Sequence, residues 1–281
     1  MKNNTKVAIL DLYDNTPNQG MRCIKALIHA AGLSYEVFEV RYKADIPKAV
    51  DFDIYISTGG PGSPLEGDGI WDKQYFDLMD EIWAWNKQND KPKKHVLFIC
   101  HSFQMICNHF ELGTLTKRKS TSFGTFPVHK TALGAEETLF KDLPDPFYIA
   151  DFRDFQLVQP NHQRLEEMGA KLLLLEKKRP HVPLERAIMG IRLSQEWIAV
   201  QFHPEADPDG MSIHFAEATR KKSIVETHGQ EKFEEMMQHL NESDKIPLTH
   251  ETIIPNFLKQ AIGLTTSFLE VNNATNVFSE V

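Results

Sequence analysis

Four short apolar runs in the first hundred residues, separated by helix-forming or polar stretches, constrain this chain more than any other feature. "KVAILDL" (6–12), "SYEVFEV" (34–40), "FDIYIST" (52–58) and "KHVLFI" (94–99) have the length of strands. Between them lie "GMRCIKALIHAAG", with helical apolar spacing and a stop at Gly32, and a helix rich in Trp and Leu around 71–88. Buried strands alternating with helices predict an α/β fold, a doubly wound, mostly parallel sheet covered on both faces. Ligands of such sheets collect at the carboxyl ends of the strands. Both "GGPGSP" (59–64) and Cys100 stand at such ends.

The apolar run "LFI" ends abruptly at Cys100, and the helix-capable "HSFQM" follows at once. A thiol at a strand-to-helix corner faces a helix N-terminus, where backbone N–H groups and the helix dipole favour a thiolate. That points to a nucleophile. A buried inert thiol is the alternative, because free cysteine is among the most buried residue types.

From 124 to 200 the chain is strand-rich, with "FGTFPVHKT", "PFYIADFRDFQLV", "AKLLLLEK", "RAIMGIRLS" and "EWIAVQF", the last running into "HPE". Beyond 205 the pattern becomes amphipathic and helical, in "FAEATRKKSIVETHG", "EKFEEMMQHLN" and "IIPNFLKQAIGLTTSFL". We expect one domain over 1–205 and a helical extension over 206–281 packed on it, with a frayed tail at 271–281.

Charge and cysteine usage exclude several classes. With 31 Lys+Arg against 39 Asp+Glu the net charge is −8, which argues against a nucleic-acid surface. The basic "KRK" at 117–119 reads as a solvated loop. Three scattered cysteines, Cys23, Cys100 and Cys107, form no disulfide framework and indicate a reducing compartment. No signal peptide and no membrane-length apolar run is visible, so a cytoplasmic protein without membrane contact is expected. Cys100, His101 and Cys107 lack the spacing of a tetrahedral metal site, so no metal is expected. Arg153 and Asp154 read as a surface ion pair, with contact to a substrate carboxylate and amine as the alternative. Met236 and Met237 read as packing.

"GGPGSP", "FICHSFQ" (98–104) and "VQFHPE" (200–205), in that order, resemble the class I glutamine amidotransferases. The resemblance covers roughly residues 5 to 205, and "FGTFPVHKT" and "ETLFKDLP" echo it. It implies a flavodoxin-like amidotransferase sheet and a triad in which Cys100 attacks the side-chain amide of glutamine. His203 would carry the proton to departing ammonia, and Glu205 would fix the imidazole tautomer. On an extended segment, residues two apart share a side, so His203 and Glu205 can act together across Pro204. A helix-start acid is the other reading of Glu205. The oxyanion donors would be the backbone N–H of His101 and one from the loop at Gly60 and Gly62, with Gln104 lining the glutamine pocket.

Two stretches depart from the family pattern. Phe98 and Ser102 stand where glycines flank the nucleophile, so Phe98 either faces away from the turn or shifts it. Phe152 stands where a histidine contacts the substrate backbone. No cofactor is implied. The chain has no GxxxxGK phosphate loop, so either a separate synthetase subunit would supply the ammonia acceptor site or the enzyme would act by itself on a small glutamyl compound, and the resemblance is to stand-alone domains similar to the amidotransferase part of GMP synthetase. The 206–281 segment would suit a homodimer interface, a docking surface or a lid. A Cys–His hydrolase or acyltransferase acting on another γ-glutamyl or acyl substrate, and a catalytically silent binding relative, remain as alternative readings.

Overall fold

The computed structural model describes residues 5–178, 185–217, 221–222, 224–226 and 229–277; for Lys232 and residues 264–277 it describes the backbone only. The first strands are β1 (Lys6–Leu10), β2 (Ser34–Phe38), β3 (Ile54–Ser57) and β4 (His95–Ile99). Further strands are β5 (Thr114–Lys130), β6 (Phe147–Val158), β7 (Lys171–Glu176), β8 (Ile188–Arg192) and β9 (Trp197–Val200). The helices used below are α1 (Gln19–Ala30), α2 (Val40–Lys43), α3 (Trp71–Asn86), α4 (His101–His109), α5 (Ala132–Ala135), α6 (His162–Met168) and α7 (Pro208–Ala216). Two more follow, α8 (Gln230–Asn241) and α9 (Ile246–Val277).

The strands form one sheet in the order β2-β1-β3-β4-β9-β8-β6-β5-β7. From β2 to β9 every pairing is parallel. β3, β4 and β9 have every residue buried, as strands covered on both faces must be. Alternation sorts their side chains into two cores. Val7, Ile9, Leu97 and Ile99 face α1 and α9 residues such as Ile24, Ile28, Ile254 and Phe257. Ala8, Leu10, Val96 and Phe98 face α3 and α4, among them Tyr75, Leu78, Phe103 and Ile106.

The expectation of a mostly parallel sheet needs correction. β8, β6, β5 and β7 pair antiparallel, and β7 also pairs with β8, so this half closes on itself like a small barrel. The physical reason is visible in β5, whose seventeen residues mix exposed, half-buried and buried positions instead of forming a continuous apolar run. The 117–119 segment is also corrected. It lies in β5 where the β5–β6 register shifts, between Lys117 and Ser122, and Arg118 is turned inward, 2.6 Å from Gln156 Oε1 and 3.3 Å from Glu176 Oε1.

α7 and α8 cover the outer side of β5 and β6 through Met211, Phe215, Phe233 and Met236, the last lying against Gly124. The helix expected at 215–229 falls partly on residues 218–220, 223 and 227–228, which lie outside the described residues. α9 runs helical through Val277, and residues 278–281 of the expected frayed tail also lie outside them. Among the described residues, no helix is long and apolar enough to cross a membrane.

Candidate active site

β4 delivers Cys100 to the carboxyl edge of the sheet and α4 starts at the next residue, so Cys100 occupies the N-cap position of that helix, with no capping hydrogen bond from its thiol. Its backbone is held at φ 51° and ψ −97°, a strained conformation for a non-glycine residue. The turn is pinned on both sides. Cys100 N–H donates to Val200 O of β9 (2.9 Å). Ser102 Oγ donates to Ser57 O of β3 (2.8 Å) and accepts from Ile99 N–H (2.8 Å). Serine in the glycine position thus ties the corner to the neighbouring strand. Phe98 faces away from the turn, packing against Trp197 (centroids 5.3 Å apart) in the core beneath α3 and α4. The bulky residue therefore leaves the corner intact.

"HPE" follows β9. His203 N–H donates to Ala150 O of β6 (2.9 Å), and His203 Nδ1 lies 2.8 Å from Glu205 Oε1. The two meet through a turn, closed by Ala206 N–H on His203 O (3.2 Å), and not along an extended segment. Glu205 is fully buried. It is not the helix-start acid either, because Asp207 takes that position and accepts from Gly210 N–H at 2.7 Å. Tyr13 Oη donates to Glu205 Oε1 (3.5 Å), and His250 Nδ1 of α9 is 2.9 Å from the Glu205 carbonyl. Burial opposes charge on His203, but the Glu205 carboxylate and the Cys100 sulfur outweigh it, holding the imidazole well above its ordinary range.

Cys100 is 5% exposed and lines a cavity of about 340 Å³ together with His203, Glu205, Gly60, Gly62, His101 and Gln104. All seven residues singled out in the sequence therefore border one space. Gly60 passes so near β1 that a Cβ there would lie 2.5 Å from Leu12 O, and Gly62 has φ +79°. The His101 ring is buried without a partner for Nε2, and burial together with Arg41 lowers its pKa to about 3. Its backbone N–H, at the first turn of α4, has no carbonyl four residues back within the helix to accept it. Gln104 Nε2 donates to Gln201 Oε1 (2.9 Å) and Phe155 O (3.2 Å), while Gln201 Nε2 points at Cys100 Sγ from 3.8 Å.

Several residues of this site escape the sequence reading. Gln201 and Tyr13 carry no local signal of their roles, since each looks like a residue at the end of a strand. Gly59 sits inside the quoted "GGPGSP", yet its importance appears only in space: a Cβ there would come 2.8 Å from His203 Cε1 and 3.6 Å from Cys100 Cβ. The expected Arg153–Asp154 surface pair does not form. Arg153 is buried, 3.0 Å from Asp151 Oδ2 and 3.2 Å from Glu176 Oε1, and borders the same cavity as Cys100. Asp154 accepts from Thr121 Oγ1. Cys107 is core, and burial raises its thiol well above the ordinary value; burial likewise pushes Cys23 up to about 12. Among the described residues, no three His, Cys, Asp or Glu side chains are grouped to hold a metal ion.

The family model "Glutamine amidotransferase class-I" matches residues 9–222. The chain belongs to the class I glutamine amidotransferases. A glutamine amidotransferase from Thermotoga maritima shares the fold at 14% identity and a TM-score of 0.67, covering 92% of this chain and 98% of that chain. A putative GMP synthase subunit from Thermoplasma acidophilum matches at 15% identity and a TM-score of 0.51, covering 96% and 98%. The glutaminase domain of Trypanosoma brucei CTPS, solved with bound acivicin, matches at 11% and 0.53, covering 77% and 94%. At these identities the likeness concerns the fold. No curated protein matches the sequence.

Proposed function

We propose that this chain hydrolyses the side-chain amide of glutamine through a Cys100–His203–Glu205 triad and releases ammonia. The observation that carries the reading is the strained Cys100 corner at the start of α4, set in one cavity with an imidazole whose far nitrogen is held 2.8 Å from a buried carboxylate. With Nδ1 committed to Glu205, Nε2 is left to serve the thiol. The sulfur bonds to the γ-carbonyl carbon, and the charge developing on oxygen meets the His101 N–H and the Gly60–Gly62 loop. The C–N bond breaks as His203 gives its proton to the leaving nitrogen. Water then attacks the γ-glutamyl thioester, His203 takes its proton, and the C–S bond breaks to leave glutamate.

The catalytic machinery belongs to residues 1–205 in this reading. The 206–281 extension supports it, since His250 of α9 holds the triad loop and α7 walls the cavity. The resemblance to a GMP synthase component supports delivery of ammonia to a separate synthetase subunit. Self-association through the extension, and residence in a reducing cytoplasm, fit the same reading. Phe152, beside His203 where the family carries a substrate-contacting histidine, favours a second reading: an amide other than free glutamine. The test is ammonia release from glutamine by the purified chain beside a Cys100→Ala variant. Release that disappears in the variant supports the proposal. Release that survives it contradicts the role given to Cys100.

A further inference from the structure

The wall beside the triad is aromatic. Phe152 lies 5.7 Å from the His203 ring, 4.8 Å from Phe123 and 5.4 Å from His214, and Phe123 stacks on His214 at 6.0 Å and 20° between planes. Phe155 and Met211 border the same cavity. Phe123 and Phe152 are fixed from behind by Phe215 of α7, at 5.4 and 6.0 Å. They are nevertheless only half-buried, because they also border the cavity. Rigid aromatic faces opening into a pocket beside a nucleophile form a binding surface, whereas rings serving only as packing would be covered on both sides.

Of the polar groups nearby, Arg153 is held by Asp151 and Glu176 through Nε and Nη2, and Asp207 pairs with Arg22, while Arg153 Nη1, His101 Nε2 and Glu205 Oε2 have no partner among the described residues. The wall formed by Phe123 and Phe152 itself offers mainly apolar, flat area. Resting on the amide-hydrolase reading above, we infer that the preferred substrate is a γ-glutamyl amide carrying an aromatic or similarly flat apolar group, seated on Phe123 and Phe152. The group can be attached at the α-nitrogen of the acyl part or on the leaving amine. The chemistry is unchanged: thioester formation expels ammonia in the first case and the aromatic amine in the second.

Three amides distinguish these sources: glutamine, Nα-benzyloxycarbonyl-glutamine and γ-glutamyl-p-nitroanilide. Each is assayed with the full chain and with Phe152→Ala and Phe152→His, and Cys100 labelling by acivicin is measured in parallel. We expect at least one aromatic amide to exceed glutamine tenfold in kcat/KM. Phe152→Ala should narrow that ratio at least fivefold, through KM more than kcat. A chain that takes the Cys100 label and turns over glutamine as well as or better than both aromatic amides overturns this inference alone. If no amide is hydrolysed and Cys100 stays unlabelled, the thiol reading fails and this inference falls with it. An undiminished preference in Phe152→Ala, in protein shown to be folded by circular dichroism, places the aromatic group elsewhere and also overturns it.

Discussion

His203 Nδ1 and Glu205 Oε1 lie 2.8 Å apart across a single proline, and the carboxylate is fully buried. A buried carboxylate with one imidazole partner fixes both tautomer and ring orientation. We predict that Glu205→Gln lowers kcat by roughly 10²–10⁴-fold with KM little changed, as loss of the tautomer-setting acid does in triads generally. The imidazole is raised by Glu205 and Cys100 against burial. Its pairing therefore stabilises the fold fully below pH ~6.5 and is lost as pH rises through the raised value. The stability deficit of Glu205→Gln should be larger at pH 6 than at pH 9, as read from urea unfolding at each pH.

Gly59 gives a steric test that alters no side chain of the proposed triad. A methyl group there would stand 2.8 Å from His203 Cε1, closer than carbon atoms tolerate. Gly59→Ala should push the imidazole off the thiol and reduce turnover about 10²-fold, the scale expected for a misplacement of about 1 Å. The comparison of kcat with the melting temperature separates this from simple unfolding.

Ser102 tests whether the corner is held from outside. Ser102→Ala leaves Ser57 O and Ile99 N–H without the hydroxyl they share. Loss of a buried partner costs about 1–3 kcal/mol. The variant should lose that much unfolding free energy, measured by urea titration, and alkylate more slowly at Cys100.

Much of the fold and of the site is legible in the residues alone. β1, β3 and β4 announce themselves because strands buried on both faces must be apolar throughout, and Cys100 stands out because such a run stops at it. The antiparallel half is misjudged in pairing because mixed-burial strands do not reveal their neighbours. Arg118 and Arg153 look like surface charge in sequence, yet they meet Glu176 only once β5, β6 and β7 are brought together. Tyr13 and Glu205 are 192 positions apart. No local pattern encodes such a contact, and the same holds for Gln201 approaching Cys100.

Two buried histidines predict acid sensitivity. Burial lowers His95 to about 4 and His101 to about 3, with Arg192 and Arg41 respectively adding to it. Above pH ~6.5 both are neutral in the folded and unfolded states and cost nothing. As pH falls from there toward 4, the unfolded chain binds protons that the folded chain refuses, at about 1.4 kcal/mol per pH unit for each group. Urea unfolding between pH 6.5 and 4.5 should show this loss, and His95→Gln should reduce its slope by about half.

The most direct test of the central claim is intact and peptide mass spectrometry after treatment with acivicin, the compound bound in the solved glutaminase domain that shares this fold. The account predicts one adduct, on Cys100 and on neither Cys23 nor Cys107. Glutamine or the preferred amide should slow its formation, and His203→Ala should nearly abolish it. Labelling spread over the three cysteines, or Cys100 untouched while the protein is folded, would contradict it.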